Sequence, residues 1–233
     1  MKDYITWLDD ELRLLQAVAT WPRPRSHKGG LGGIKGGIAS CGGRAALGSV
    51  TVLEFGTYNG YSANRLGLKC RKVYGFDSWK GLPEDWSGVE RKGHFALDSL
   101  PRVVDNVELV PGWFNETLEP FLDSHPDLDI GLIHVDCDLY SSTRYVLETL
   151  YARGIIRPGL KIIFNEVVNY RGFQDGEIRA LYELCRVHGV KFRWLPLIGQ
   201  VLMPVETNNV VWSNFKRSRK LGYQQCASIE IIE

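Results

Sequence analysis

The chain has 233 residues, 44% of them hydrophobic, which suffices for one domain with a substantial core. Its 28 basic and 27 acidic residues nearly cancel, so charge gives no case for a nucleic-acid or membrane-surface partner. Five scattered cysteines (Cys41, Cys70, Cys137, Cys185 and Cys226) with no C-x-x-C pair argue against a disulfide framework and a zinc–thiolate site. With no apolar signal core and no run of membrane-spanning length, a cytoplasmic protein is expected.

In chain order, residues 3–19 read as an amphipathic helix, since Ile5, Leu8, Leu12, Leu15 and Ala19 recur on one face. Such a face packs on the domain, or serves as a lid or a contact in a homo-oligomer. Pro22 and Pro24 stop this helix. Residues 21–43 are then crowded with glycine and read as a mobile loop, a candidate flap over a ligand site. Residues 1–49 are thus expected to be an N-terminal helix and flexible segment, and residues 50–233 the ligand-binding domain.

From Val50 the pattern alternates. Strands are expected at 50–55, 72–76, 107–110, 130–135 and 160–164, and a closing pair at 191–197 and 226–232. Helices are expected at 62–68, 114–123, 142–153 and 176–188, with a further helical stretch at 97–105 in an otherwise irregular region. The alternation implies an α/β fold with a mostly parallel sheet and helices on both faces, and ligands at the C-terminal strand ends.

Chemistry-bearing residues fall at those ends. Gly56, Tyr58, Asn59 and Gly60 form a tight turn after the first strand, and Ser62 opens a helix whose N-terminus can approach a ligand closely. Asp77 lies 21 residues beyond Gly56, where an acidic residue would hold a ribose. Glu54 could accept from a ligand's ammonium and would repel a pyrophosphate, which favours S-adenosylmethionine over NAD. Gly112, Trp113 and Phe114 follow the third strand, where an aromatic ring could face an adenine; Trp79 and Trp86 are further candidates. Asp136 and Asp138 follow the fourth strand, and Asn165 and Glu166 the fifth. Asp136, Asn165 and Glu166 offer the oxygen ligands that Mg²⁺ prefers, although capping of neighbouring helices is the competing reading. Asp138 reads as a base, a supporting group or a helix cap. His94 is an open candidate base, whereas His134, inside an apolar strand, reads as a hydrogen-bonded core histidine. The basic cluster 216–220 reads as a solvated loop.

Five segments carry a family resemblance: LEFGTYNGYS at 53–62, FDSWKGLPED at 76–85, VELVPGWFNETL at 107–118, HVDCDLYSST at 134–143 and GLKIIFNEVVNYRGFQDGEIRAL at 159–181. In this order they resemble class I S-adenosylmethionine-dependent methyltransferases, and within them the macrocin O-methyltransferase family. The resemblance implies a Rossmann-like, seven-stranded sheet with a reversed last strand. It implies methionine-moiety contacts near Glu54, Gly56 and Tyr58, a ribose contact at Asp77, and Ser78 and Trp79 beside the adenosine. It also implies Mg²⁺ held by Asp136, Asn165 and Glu166, with Asn165 standing where the family usually has aspartate. The expected activity is O-methylation of a small-molecule hydroxyl, on a sugar or another natural-product-like acceptor, with Asp136, Asp138 and His94 as the catalytic candidates. A metal-independent methyltransferase, and a non-catalytic binding or scaffold protein of the same fold, are the alternatives.

Overall fold

The structure is a computed structural model, and it describes residues 2–18, 34–86, 90–168, 170, 172–196 and 225–233. Seven strands form one sheet in the order β3-β2-β1-β4-β5-β7-β6. They are β1 (Thr51–Phe55), β2 (Lys72–Asp77), β3 (Val107–Pro111), β4 (Ile130–Val135), β5 (Lys161–Phe164), β6 (Phe192–Trp194) and β7 (Ala227–Ile231). β1 to β5 run parallel, and β7 is antiparallel to both β5 and β6. The chain moves outward from β1 through β2 to β3, then returns to place β4 on the other flank of β1. That reversal opens a crevice at the C-terminal ends of β1 and β4.

The near-continuous apolar runs of β1, β4 and β5 follow from burial on both faces. On one face Leu53, Phe55, Ile133, Val135, Ile162 and Phe164 pack under α1 (Lys2–Ala17), α5 (Phe114–Ser124), α6 (Tyr140–Ala152) and α7 (Glu177–His188). On the other, Val52, Leu132 and Ile163 pack under α2 (Ile34–Ser40), α3 (Gly43–Leu47) and α4 (Tyr61–Gly67).

α1 buries Leu8, Leu12 and Leu15 in the main core. The Trp194 indole donates to Glu11 at 2.8 Å, and Trp7 packs on Tyr182 and Phe192. This is the packed-helix arrangement, on α7 and the sheet edge.

Two expectations are corrected. Residues 97–105 contain no helix. Pro101 lacks an N–H and disfavours helical backbone at Leu100. Asn64 instead ties this irregular stretch to α4, accepting from Val104 N at 2.8 Å and donating to Arg102 O at 3.2 Å. Second, part of the glycine-crowded segment is helical, as α2 and α3. Gly37 explains why glycine is used there: a Cβ on it would lie 2.6 Å from Ile163 Cγ2, so its bareness lets α2 approach β5. The rest of the expected flap (21–33) and the basic cluster 216–220 lie outside the described residues.

Candidate functional site

Gly56 leaves β1 with φ 94° and donates its N–H to Phe76 O at 2.9 Å. A Cβ here would sit 1.9 Å from Asp136 O, so only glycine lets the turn after β1 pass the end of β4. Asp77, at the end of β2, then ties two loops together. One carboxylate oxygen accepts Tyr58 N and the other accepts Trp79 N, both at 2.7 Å. The Trp79 indole returns the link by donating to Tyr58 O at 2.7 Å. Burial pushes the Asp77 carboxyl up, and these backbone donors oppose the shift.

A cleft of about 730 Å³ opens at the strand ends. Gly56, Tyr58, Asp77, Ser78, Trp113, Phe114 and Asn115 line it from the β1, β2 and β3 ends. Asp136, Asp138, Tyr145, Asn165 and Glu166 line it from the β4 and β5 side. The long loop after β2 adds Leu82, Trp86, Glu90, His94 and Phe95. That loop is pinned to itself by Leu82 N to His94 O and Gly93 N to Leu82 O, each 2.9 Å. It is pinned to α6 by Ser141 Oγ donating to Glu84 at 2.5 Å, and Trp86 packs edge-on against buried Tyr170. The volume and mixed lining suit a small-molecule site.

Among the described residues four non-glycine residues have positive φ: Tyr58, Trp79, Phe95 and Asp138. Three line the cleft and the fourth braces Tyr58. Such backbone costs on the order of 1–3 kcal/mol per residue and concentrates where side chains are held for function.

The β4 and β5 ends bring acids together. One carboxylate oxygen from each of Asp136, Asp138 and Glu166 lies within 4.8 Å of the others. The Asn165 amide donates to Asp136 Oδ1 at 2.9 Å and to Glu166 Oε1 at 2.6 Å. Behind them Glu177, the first residue of α7, is fully buried and accepts Glu166 N at 3.2 Å. Among the described residues no ion pair joins any of these four acids to a lysine or arginine. Burial, reinforced by the neighbouring negative charges, pushes all four carboxyls up, those of Asp138, Glu166 and Glu177 well above the usual range.

Of the residues expected to touch cofactor, Gly56, Tyr58, Asp77, Ser78, Trp113, Phe114 and Asp136 line the cleft. Asn59, Gly60, Ser62, Trp79 and Gly112 do not line it and serve the turns around it. Asn59 accepts Tyr61 N at 3.0 Å, Gly60 caps α4 in the left-handed region, and Gly112 leaves room for Thr117. Glu54 also lies away from the cleft. The β1/β4 register sets it beside His134, whose Nδ1 is 3.0 Å from Glu54 Oε1, with both side chains fully buried. Glu54 Oε1 thus has an internal partner, while its Oε2 is buried without one. Burial lowers the His134 pKa, but the bond to Glu54 and the charges of Glu54 and Asp136 outweigh it and raise the value overall. His94 lines the cleft, half-exposed, with Nδ1 3.4 Å from Glu90 Oε2.

Glu90, Asn115, Tyr145 and Glu177 were not singled out from the sequence. Tyr145 carried a signal: it lies one helical turn beyond Ser141, which faces the same end of the sheet.

Residues 53–167 match the family model described as "Methyltransferase domain". The 8-demethyl-8-(2,3-dimethoxy-alpha-L-rhamnosyl)-tetracenomycin-C 4'-O-methyltransferase of Streptomyces olivaceus is 30% identical over 119 residues, 43% of this chain and 43% of that protein. The match thus spans less than half of this relative's length. The crystal structure of CalS11, a calicheamicin methyltransferase, matches with a TM-score of 0.55 at 20% identity, covering 84% of this chain and 76% of that one. This likeness shows a shared fold. Among the described residues no helix is long and apolar enough to cross a membrane.

Proposed function

We propose that the chain is a class I S-adenosylmethionine-dependent methyltransferase that methylates a hydroxyl of a small molecule, a sugar or another natural-product-like acceptor, a reading that the methyltransferase match over residues 53–167 supports. The observation that supports this most is the cleft itself. It joins a glycine turn, an acidic β2 end and an aromatic wall to a cluster of oxygen ligands in one cavity. The tetracenomycin-C relative, a 4'-O-methyltransferase named for a rhamnosyl-bearing compound, supports the acceptor class.

In this reading Gly56 and Tyr58 leave room and backbone for the cofactor's methionine end. Asp77 and Ser78 face its ribose, while Trp113 and Phe114 cover its adenine. Trp86 and Tyr145 offer the acceptor an aromatic wall. The cofactor supplies an activated methyl group, and the site's task is to hold the hydroxyl in line with it. The hydroxyl proton passes to Asp138 or to His94, which Glu90 orients.

A divalent cation fits the donor set. The ligands are all oxygen, they converge, and Glu166 Oε2 is buried without a hydrogen-bond partner. A cation such as Mg²⁺ bound there would lower the acceptor's pKa and steady the alkoxide charge. The metal-independent alternative draws on Asn165, whose N–H groups already bridge two of the carboxylates. The five unpaired thiols suit a reducing compartment, the cytoplasm.

The test is incubation with methyl-labelled S-adenosylmethionine and a panel of sugars and phenols, with Mg²⁺ and with EDTA. The reading expects label in an acceptor hydroxyl and loss of transfer in EDTA. Transfer that resists EDTA would select the metal-independent form. Label recovered on nitrogen or carbon would overturn the acceptor class.

A further inference from the structure

Three features of the acidic cluster are unequal. Asp138 is held at φ 64°, a backbone conformation that non-glycine residues seldom adopt, although Asp tolerates it better than most. The turn that follows is tight, with Leu139 N donating to Cys137 O at 2.6 Å. This conformation brings an Asp138 oxygen into the same 4.8 Å group as Asp136 and Glu166, where three like charges oppose one another. Asn165 stands differently. Its nitrogen, not its oxygen, meets the cluster, and both of its N–H groups are used on Asp136 and Glu166. In this orientation the amide fixes the two carboxylates' rotamers and turns its nitrogen, not its oxygen, to the place a cation would take. Glu166 keeps Oε2 buried and without a partner, a second sign that the group is built around something absent from the chain itself.

We propose that Asp138 is the third carboxylate ligand of a divalent cation held with Asp136 and Glu166, and that Asn165 is a positioning residue that clamps those two carboxylates and is not itself a ligand. This rests on the metal-assisted form of the reading above. It exchanges the roles that sequence spacing gives to Asp138 and Asn165. It also leaves His94, paired with Glu90 and lining the cleft, to take the acceptor's proton.

The test is calorimetric titration of Mn²⁺, and separately Mg²⁺, into the full chain and into Asp138→Asn and Asn165→Ala, with the S-adenosylmethionine affinity of each measured alongside. Asparagine is isosteric and suits φ 64°, so Asp138→Asn keeps the turn; Asp138→Gly suits it equally and reads the same if the first variant fails to fold. The proposal expects Asp138→Asn to weaken Mn²⁺ binding at least about ten-fold, and by more than Asn165→Ala does, with cofactor affinity unchanged. Cation affinity unchanged in Asp138→Asn, or lowered at least as much by Asn165→Ala, would overturn it while leaving the metal-assisted reading intact. A wild-type chain that binds S-adenosylmethionine but neither cation would overturn both.

Discussion

At Gly56 a single hydrogen atom in place of a side chain decides whether β1 and β4 can end side by side. Gly56→Ala should lower stability by roughly 2–4 kcal/mol, since it adds strain at φ 94° to a backbone clash, and it should remove cofactor binding. Thermal denaturation and a cofactor titration check this; a variant that melts and binds like wild type would refute the turn's role. Asp136 differs, because it lines the cleft without holding the turn by its side chain. Asp136→Ala should abolish methyl transfer while cofactor affinity stays within a few-fold, a split that parallel turnover and binding measurements resolve. At this scale the sequence revealed positions better than directions. Asp77, Asp136, Asp138, Asn165 and Glu166 were legible because each follows an apolar strand run, and parallel strands deliver their ends to one edge. The partner of Glu54 was not legible. It is His134, 80 residues away, and the pairing exists only once the β1/β4 register is set. Nor could spacing show that Asn165 turns its nitrogen to the carboxylates.

Among the elements, α2 shows packing overruling local composition. Glycine is a poor helix former, costing about 1 kcal/mol relative to alanine, yet Gly36 and Gly37 sit buried inside α2. Tertiary approach to Ile163 outweighs that cost, which is why glycine content suggested a loop. Gly37→Val should therefore destabilise the fold by roughly 1–3 kcal/mol through overpacking, although it improves neither the site nor the sheet. Urea denaturation checks this, and an unchanged midpoint would mean that α2 can withdraw from β5 freely. The strands and the helices α1, α5, α6 and α7 were legible because their apolar periods are strong. The 97–105 stretch was not, since the bonds that hold it come from Asn64 on α4. The loop after β2 is the same case: its form depends on Ser141 and Tyr170, far along the chain.

For the whole molecule, the buried acids couple the site to stability. Asp136, Asp138, Glu166 and Glu177 all have carboxyls raised above the ordinary values of about 4, so the folded chain holds more protons than the unfolded one above that pH. Stability falls as pH rises through this window. His134 acts in the same direction: its raised value contributes stability fully below about 6.5, which is lost as pH climbs through the folded value. A cation that binds the ionised cluster opposes the trend, so Mg²⁺ should raise the melting temperature more at pH 8 than at pH 5. Equal shifts at both values would separate the acids from metal binding. A cofactor site in the crevice where the strand order reverses must bind S-adenosylmethionine. Calorimetric titration with S-adenosylmethionine tests it most directly. Saturable binding in the micromolar range is expected, retained in Asp136→Ala and lost in Gly56→Ala. A well-folded wild-type chain showing no binding at millimolar cofactor would contradict it.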